Sequence, residues 1–526
     1  MITPLDILSL ETWILILTSF ILVRIYIHKK WQVLKNINIP HDPPTILGVG
    51  NMMGIIKDPN QMFLSYFKMK KKYGLVYGAY SWLTPSITIA DPEILKQIFI
   101  KEFSTFPDRQ KALLDVNGKE MNTALTSVTG SQWKRIRNTL SPTFSSSKLK
   151  EMFGIVEDCA DSFVQNIGTV NSDGDGRFDV SLAFGRLTLD GICSSAFGVK
   201  VDSQAANNGK ESQVAKMARE FLAIEIFKNP MVFVFLVFPW LGKVAKLFDY
   251  SVFPKKYIIY FSKLIDSVVE TKKKKKQRTD ILQTMIDSQI TEEDVKNGAV
   301  KGVTRTEMKG NALITLIAAY ETTSNAMVFL AYNLAVYKDA QHKCREEIKQ
   351  VIAEHGGLTY EAVQDLKYMT QCLNESMRLY SLVPANSRYC ERDITINGVT
   401  IPKGTLVNIP VFGMGRDEEF WNEPLTFNPD RMLDMNEIDP MIFQPFGAGP
   451  RNCIGMRFAL LEIKITFAKL LQKFYLDVCE DTPAPPLKVG FKTSMKPKET
   501  LYLKVKALEI RVVPSLLVYY LLTVIL

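Results

Sequence analysis

The stretch Phe446-Gly447-Ala448-Gly449-Pro450-Arg451-Asn452-Cys453-Ile454-Gly455 constrains this 526-residue chain more than any other. A helical pattern follows it over Met456 to Phe474. Two glycines and a proline impose a tight backbone and deliver Cys453 to the start of that helix. There the partial positive charge and free N–H groups of the N-terminus favour thiolate over thiol. A thiolate held by such a loop is a good soft metal ligand, and N–H groups aimed at the sulfur tune its electron donation. Arg451, two residues earlier, can reach an anionic group on whatever the sulfur binds. A lone buried cysteine is usually a small hydrophobe; the ten-residue pattern argues for a ligand instead.

The remaining metal-binding residue types are sparse. Seven cysteines make no CxxC pair, and four histidines make no HExxH-like cluster. An odd, unpaired cysteine set argues against a disulfide framework or a zinc knuckle and fits a reducing compartment. The net charge of +9 is spread along the chain, which does not point to nucleic acid. Its densest run, Lys272 to Lys276, reads as a solvated loop.

Residues 1–30 read as a membrane anchor. Ile7 to Ile27 is almost wholly apolar, and 21 residues of helix reach about 31 Å, one hydrocarbon thickness. Asp6 and Glu11 lie at its start and Arg24, His28, Lys29, Lys30 and Lys35 at its end, so the positive-inside rule puts the rest of the chain in the cytosol. Residues 31–50 read as a proline-rich linker, stiff and extended over Ile39-Pro40-His41-Asp42-Pro43-Pro44. Residues 51–508 form one domain, mainly α with a small β portion. The apolar tail 509–526 is too short to span comfortably and has no assigned role.

Within the domain, residues 60 to 110 read as helix, two short strands and helix, with Thr84 to Ala90 alternating as a half-buried strand. Most of 130 to 350 is helical in period. One unusually long helix, about Thr306 to Tyr337, is apolar on nearly all faces and belongs in the core. Asn397-Gly398 marks a hairpin turn, and a long loop covers about 412 to 455. The Phe-rich stretch Phe221 to Trp240 reads either as core helix or as an entry flap that dips into lipid.

Phe446 to Gly455 resembles the haem-binding loop of the cytochrome P-450 superfamily, FxxGxRxCxG, at every fixed position. The resemblance implies haem b (iron protoporphyrin IX) with Cys453 as the axial iron ligand, whose thiolate favours O–O cleavage. Three further motifs agree in order. Glu375-Ser376-Met377-Arg378 matches ExxR, and Phe427-Asn428-Pro429-Asp430-Arg431 resembles FxPxR. In the family Glu375, Arg378 and Arg431 would form a structural ionic triad; Met432 replaces a usual Phe. Ala318-Ala319-Tyr320-Glu321-Thr322-Thr323 on the long helix resembles the oxygen-activation segment [AG]GxETT. It implies a proton relay through Thr322 and Glu321, with Ala319 where the family has Gly. Trp133-Lys134-Arg135-Ile136-Arg137 matches WxxxR, implying that Trp133 and Arg137 hold a haem propionate. Arg388 lies after Pro384 where the family places another propionate arginine. WKRIRNTLSPTF (Trp133 to Phe144), MIDSQ (Met285 to Gln289) and FGAGPRNCIGMRFAL (Phe446 to Leu460) are similar to the vertebrate family 3, subfamily A enzymes, which oxidise steroids and xenobiotics.

The implied activity is a monooxygenase acting on lipophilic substrates from the endoplasmic reticulum membrane. Gly48 to Gly54 misses GxGxxG by one residue, so no nicotinamide site is visible. Electrons would come from NADPH through a haemoprotein reductase, with cytochrome b5 as a second donor. Lys134, Arg135, Arg457 and Lys464 are expected on the cysteine side as a basic patch for that partner. The alternatives are an isomerase of the thromboxane-synthase type, which needs no reductase and lacks the acid–alcohol pair, and a non-enzymatic haem sensor.

Overall fold

The computed structural model describes residues 9–508, except 46–49, 52–53, 55–57, 59, 110–116, 205–211, 225–228, 238–239, 249 and 275–279. The apolar tail 509–526 lies outside the described residues, as does part of the lysine run.

Helix α1 (Leu10–Lys30) starts at Ser9, whose hydroxyl accepts the Thr12 N–H, and ends on His28, Lys29 and Lys30. Both ends suit the helix dipole. Leu15, Leu17, Phe20 and Leu22 all stand exposed on it. So long an apolar helix with bare sides is fit to cross a membrane. Helix α2 (Gln61–Tyr73) leads into β1 (Val76–Ser81) and β2 (Thr84–Ile89), a hairpin as the alternation predicts.

Five helices form the body: α3 (Gly130–Leu140), α4 (Ser146–Asp173), α5 (Val180–Phe197), α6 (Lys255–Lys274) and α7 (Arg305–Val336). Strand β3 (Arg177–Asp179) precedes α5. Asp179 caps α5 by accepting the Leu182 N–H. The 32-residue α7 begins with a reciprocal capping box between Thr304 and Glu307, which satisfies its orphan N–H groups. Most of its apolar side chains are then buried, as the sequence predicts, with α5 packed along it, while Ile317 to Tyr320 are left partly or fully exposed.

After α7 come α8 (Lys338–His355), α9 (Lys367–Leu379), β4 (Asn386–Tyr389), β5 (Ile394–Ile396), β6 (Val399–Ile401) and β7 (Leu406–Ile409). The turn Asn397-Gly398 has φ of 46° and 80°, the left-handed pair a tight hairpin needs. Residues 412–455 carry only short helical turns. Helix α10 (Met456–Lys473) follows, then β8 (Phe474–Asp477), β9 (Val489–Phe491), β10 (Met495–Pro497) and β11 (Tyr502–Ala507).

The largest sheet has the order β1-β2-β7-β4, with β2 and β7 parallel from Ser86 opposite Leu406 and the other pairs antiparallel. It covers one apolar cluster with Tyr66, Tyr80 and Phe99. A second cluster joins α3 to α6 and the first half of α7. The third joins the second half of α7 to α8, α9 and α10. Helix α7 therefore runs through the middle of the domain, and the cysteine loop approaches it from the α10 side.

In and just after the Phe-rich stretch, Pro230–Val237 and Trp240–Leu247 are helical. Val232 and Phe235 are buried, whereas Val244, Leu247 and Phe248 are exposed. The lysine run departs from a plain solvated loop. Lys272 is buried and pairs with Asp280 at 2.5 Å, tying the end of α6 to the segment behind it.

Candidate haem–thiolate site

Cys453 is placed by its loop. Its N–H donates to the Phe446 carbonyl at 2.8 Å. Gly447 and Gly449 take φ of 72° and 71°, a region that disfavours any side chain. A Cβ on Gly449 would strike the Phe99 carbonyl. The loop therefore lies flat against the segment after β2. Gly455 is the N-cap of α10, and the Gly455 and Met456 N–H groups favour the charged form of the Cys453 sulfur.

Burial is the largest influence on the thiol and pushes it above its ordinary pKa, while the two N–H groups, Arg137 and Arg109 pull the other way. The helix N-terminus favours the thiolate, and burial opposes it. Though closely surrounded, the Cys453 side chain is accessible. So are Ala318, in the midst of the buried α7, and Val383. The exposure of Ala318 on a helix otherwise packed in the core leaves a hollow along that face of α7.

Guanidinium groups crowd the cysteine loop. Arg451 donates to Asp108 at 2.6 Å and to the Pro107 carbonyl at 2.6 Å, and lies 4.3 Å over the Trp133 ring. Arg137 donates to the Asn452 carbonyl and side chain at 2.9 and 2.8 Å. Arg388, on β4, is fully buried, donates to Ser387 O at 2.8 Å and lies 4.6 Å over the Phe99 ring. Arg109 donates to the Arg451 carbonyl at 3.2 Å. Strand β4 delivers Arg388 to the loop, where it donates to the Ala448 carbonyl at 3.4 Å. Arg109 is a member that sequence reasoning missed, because no spacing or motif marks it.

The electrostatics of this cluster are unbalanced. Burial and mutual repulsion push Arg388 down to about 9 and Arg451 down to about 10, and Arg109 and Arg137 are also lowered. Asp108 is the carboxylate bonded to the cluster. The Nε atoms of Arg109 and Arg388 are buried without a hydrogen-bond partner. Buried cations and orphaned donors are costly unless an anion meets them. An accessible sulfur ringed by surplus guanidinium fits a metal-bearing group that carries its own carboxylates.

The ionic triad assembles. Glu375 receives Arg378 Nε at 2.7 Å, Arg378 Nη2 at 2.8 Å and Arg431 Nε at 2.9 Å, with Glu375 and the Arg378 side chain wholly buried. Arg378 also binds the carbonyls of Gly415 and Pro424, and Arg431 that of Asn422. The triad thus pins the long loop to α9. Phe446, half-buried, packs on the α7–α10 core.

On α7 the Thr322 hydroxyl donates to the Ala318 carbonyl at 2.7 Å. Buried Glu321 instead accepts from Thr493, next to β10, and burial pushes its carboxyl up. The expected pair is therefore not joined directly.

The basic patch is corrected. Lys134 and Arg457 are exposed. Arg135 is buried and grips the α7 cap residue Glu307 at 2.6 Å. Lys464 is buried against the Val363 carbonyl at 3.2 Å and pushed down to about 8 by desolvation. Both cations face inward because α3 and α10 turn those faces to the core. A small apolar cavity of about 30 Å³, lined by Cys193, Phe261 and Leu313, lies between α5, α6 and α7 and includes none of the residues above.

Comparison with known proteins agrees with this geometry. The family model described as Cytochrome P450 matches residues 40–505. Cytochrome P450 3A5 of Homo sapiens is 35% identical over 506 residues, covering 95% of this chain and 97% of its own. Cytochrome P450 3A25 of Mus musculus and 3A9 of Rattus norvegicus are each 36% identical over 504 residues, covering 95% and 94% of this chain and 97% of their own. With a match across the whole domain and a thiol ringed by guanidinium groups, the chain belongs to the cytochrome P450 family, the haem-thiolate monooxygenases.

Proposed function

We propose that this protein oxidises lipophilic substrates of the steroid, lipid or xenobiotic class, taking electrons from NADPH through a separate reductase. Haem b, when bound, would supply an iron for O₂ chemistry, and a thiolate ligand favours that chemistry. Cys453 is the ligand, and the Gly455 and Met456 N–H groups moderate its charge. Arg109, Arg137, Arg388 and Arg451, with Trp133, would hold the carboxylates of the group, which would relieve the mutual repulsion of the guanidinium groups. Phe446 anchors the loop through its carbonyl. Glu375, Arg378 and Arg431 hold the loop's foundation to α9.

Thr322 and Ala318 lie one turn apart and face the hollow. Thr322 can swing its hydroxyl from the Ala318 carbonyl and deliver a proton there, with Glu321 as the acid that restores it. Helix α1 ties the domain to the endoplasmic reticulum membrane, where apolar substrates concentrate, with the domain on the cytosolic side. Lys134 and Arg457, both exposed, are the cations available to steer an acidic reductase, and cytochrome b5 fits the same face.

The observation that carries this reading is the surplus of buried guanidinium around an accessible Cys453. The test is a reduced, carbon-monoxide difference spectrum of the expressed protein, then substrate turnover with and without reductase. A strongly red-shifted Soret band and reductase-dependent NADPH use are expected. A Soret band at the ordinary haem position overturns the thiolate assignment. Product formation without reductase would favour the isomerase reading, against which Glu321 and Thr322 stand together on α7.

A further inference from the structure

The turn between β9 and β10 docks on α7 through two consecutive residues. Thr493 donates its hydroxyl to the Glu321 carboxylate. Ser494 meets the Asn325 side chain at 2.8 Å, with both residues buried. Glu321 and Asn325 are four apart, so they form one stripe along the helix. Ala318 and Thr322 are also four apart and form the neighbouring stripe, which faces the hollow. The hairpin therefore grips the acid stripe while leaving the hydroxyl stripe free.

This arrangement separates two groups that a relay must bring together. Adjacent residues on a helix point about 100° apart, and Glu321 is tethered away from Thr322 by a contact to a different part of the chain. The tether lies 172 residues distant in sequence. The charged and hydroxyl groups that bear on Glu321 are Thr493, Ser494 and Lys496, all from the hairpin.

We infer that Thr493 is a positioning residue for proton delivery: its hydroxyl holds the Glu321 carboxylate, and letting go of it releases Glu321 toward Thr322. Ser494 and Asn325 keep the turn in register while that happens. The inference rests on the monooxygenase reading for its role in turnover, but not for its chemistry. A hydroxyl that donates to a carboxylate favours the charged form, so losing it moves the carboxyl's titration to higher pH. The burial of Glu321 acts in the same direction and is then less opposed.

The test is an infrared pH titration of the protonated-carboxyl band of Glu321 in the purified full chain, identified by its loss in Glu321→Gln. Thr493→Val is expected to move the midpoint up by about one pH unit, a tenfold change in proton affinity, and Thr493→Ser to restore it. Thr493→Ala serves as the second variant should the valine fold poorly. The pH profile of turnover should move in the same direction, with uncoupled NADPH use rising. A midpoint unchanged in Thr493→Val and Thr493→Ala overturns the inference. Absence of a thiolate Soret band would instead overturn the monooxygenase reading and leave the infrared result standing.

Discussion

Arg451 and Asp108 form a buried pair at 2.6 Å, and the Arg451 guanidinium also lies 4.3 Å over the Trp133 ring. The pair links the cysteine loop to the segment before α3. It also places one carboxylate inside a cluster of four guanidinium groups. Removing that carboxylate leaves the cluster short of its bonded anion. Asp108→Asn should therefore lower unfolding free energy by about 3 kcal/mol, the cost of breaking a buried pair. Denaturant unfolding of the haem-free protein measures it. An unchanged midpoint would show that the pair adds nothing.

Glu375 accepts three N–H bonds from Arg378 and Arg431 in a site without water access. Lysine has no planar fork to replace them. Arg378→Lys should cost about 3–5 kcal/mol and abolish accumulation of folded protein with a thiolate Soret band. Expression with a normal spectrum would show the triad to be dispensable.

Cys453→Ser should abolish the red-shifted carbon-monoxide band while leaving the fold intact, because the loop is held by backbone bonds to Phe446 and by its glycines. Circular dichroism and the difference spectrum together check this. A retained red-shifted band would refute Cys453 as the ligand.

Glu462 on α10 is buried with neither carboxyl oxygen hydrogen-bonded, and desolvation pushes it up to about 8. The folded state thus binds its proton more tightly than the unfolded chain, whose ordinary value is 4.5. Stability should fall as pH rises from about 4.5 to about 8 and level off above. Glu462→Gln removes that dependence and should be more stable than wild type by about 3 kcal/mol at pH 7, with little gain at pH 4.5. Melting temperatures at the two pH values test it; an equal gap at both would place the effect elsewhere.

Removing residues up to Lys30 should move the protein from the membrane pellet to the supernatant without loss of the difference spectrum. Helix α1 carries nearly all its apolar side chains exposed, so little of the domain's core is lost with it. Sedimentation after lysis measures the change. Continued membrane association would point to a second contact, and exposed Leu247 and Phe248 are then the residues to substitute.

Local chemistry written in consecutive residues was readable from the sequence alone. The tight turn before Cys453, the Asn397-Gly398 hairpin, the apolar period of α7 and the length of α1 each follow from backbone preference or hydrophobic spacing. So did the pairing of Glu375 with Arg378, since residues three apart on a helix share a face. Tertiary structure alone decided the rest. Arg109 joins the cluster through a contact 342 residues away. Arg135 and Lys464 turn inward because their helices bury those faces, which charge counting cannot show. Glu321 meets Thr493 rather than Thr322 because a distant hairpin docks on its stripe. At the Cys453 thiol, burial opposes the charge that Arg137, Arg109 and two N–H groups favour, and that opposition comes from packing. Sequence specifies what a short segment prefers; burial, and the partner that burial supplies, depend on how far-apart segments pack.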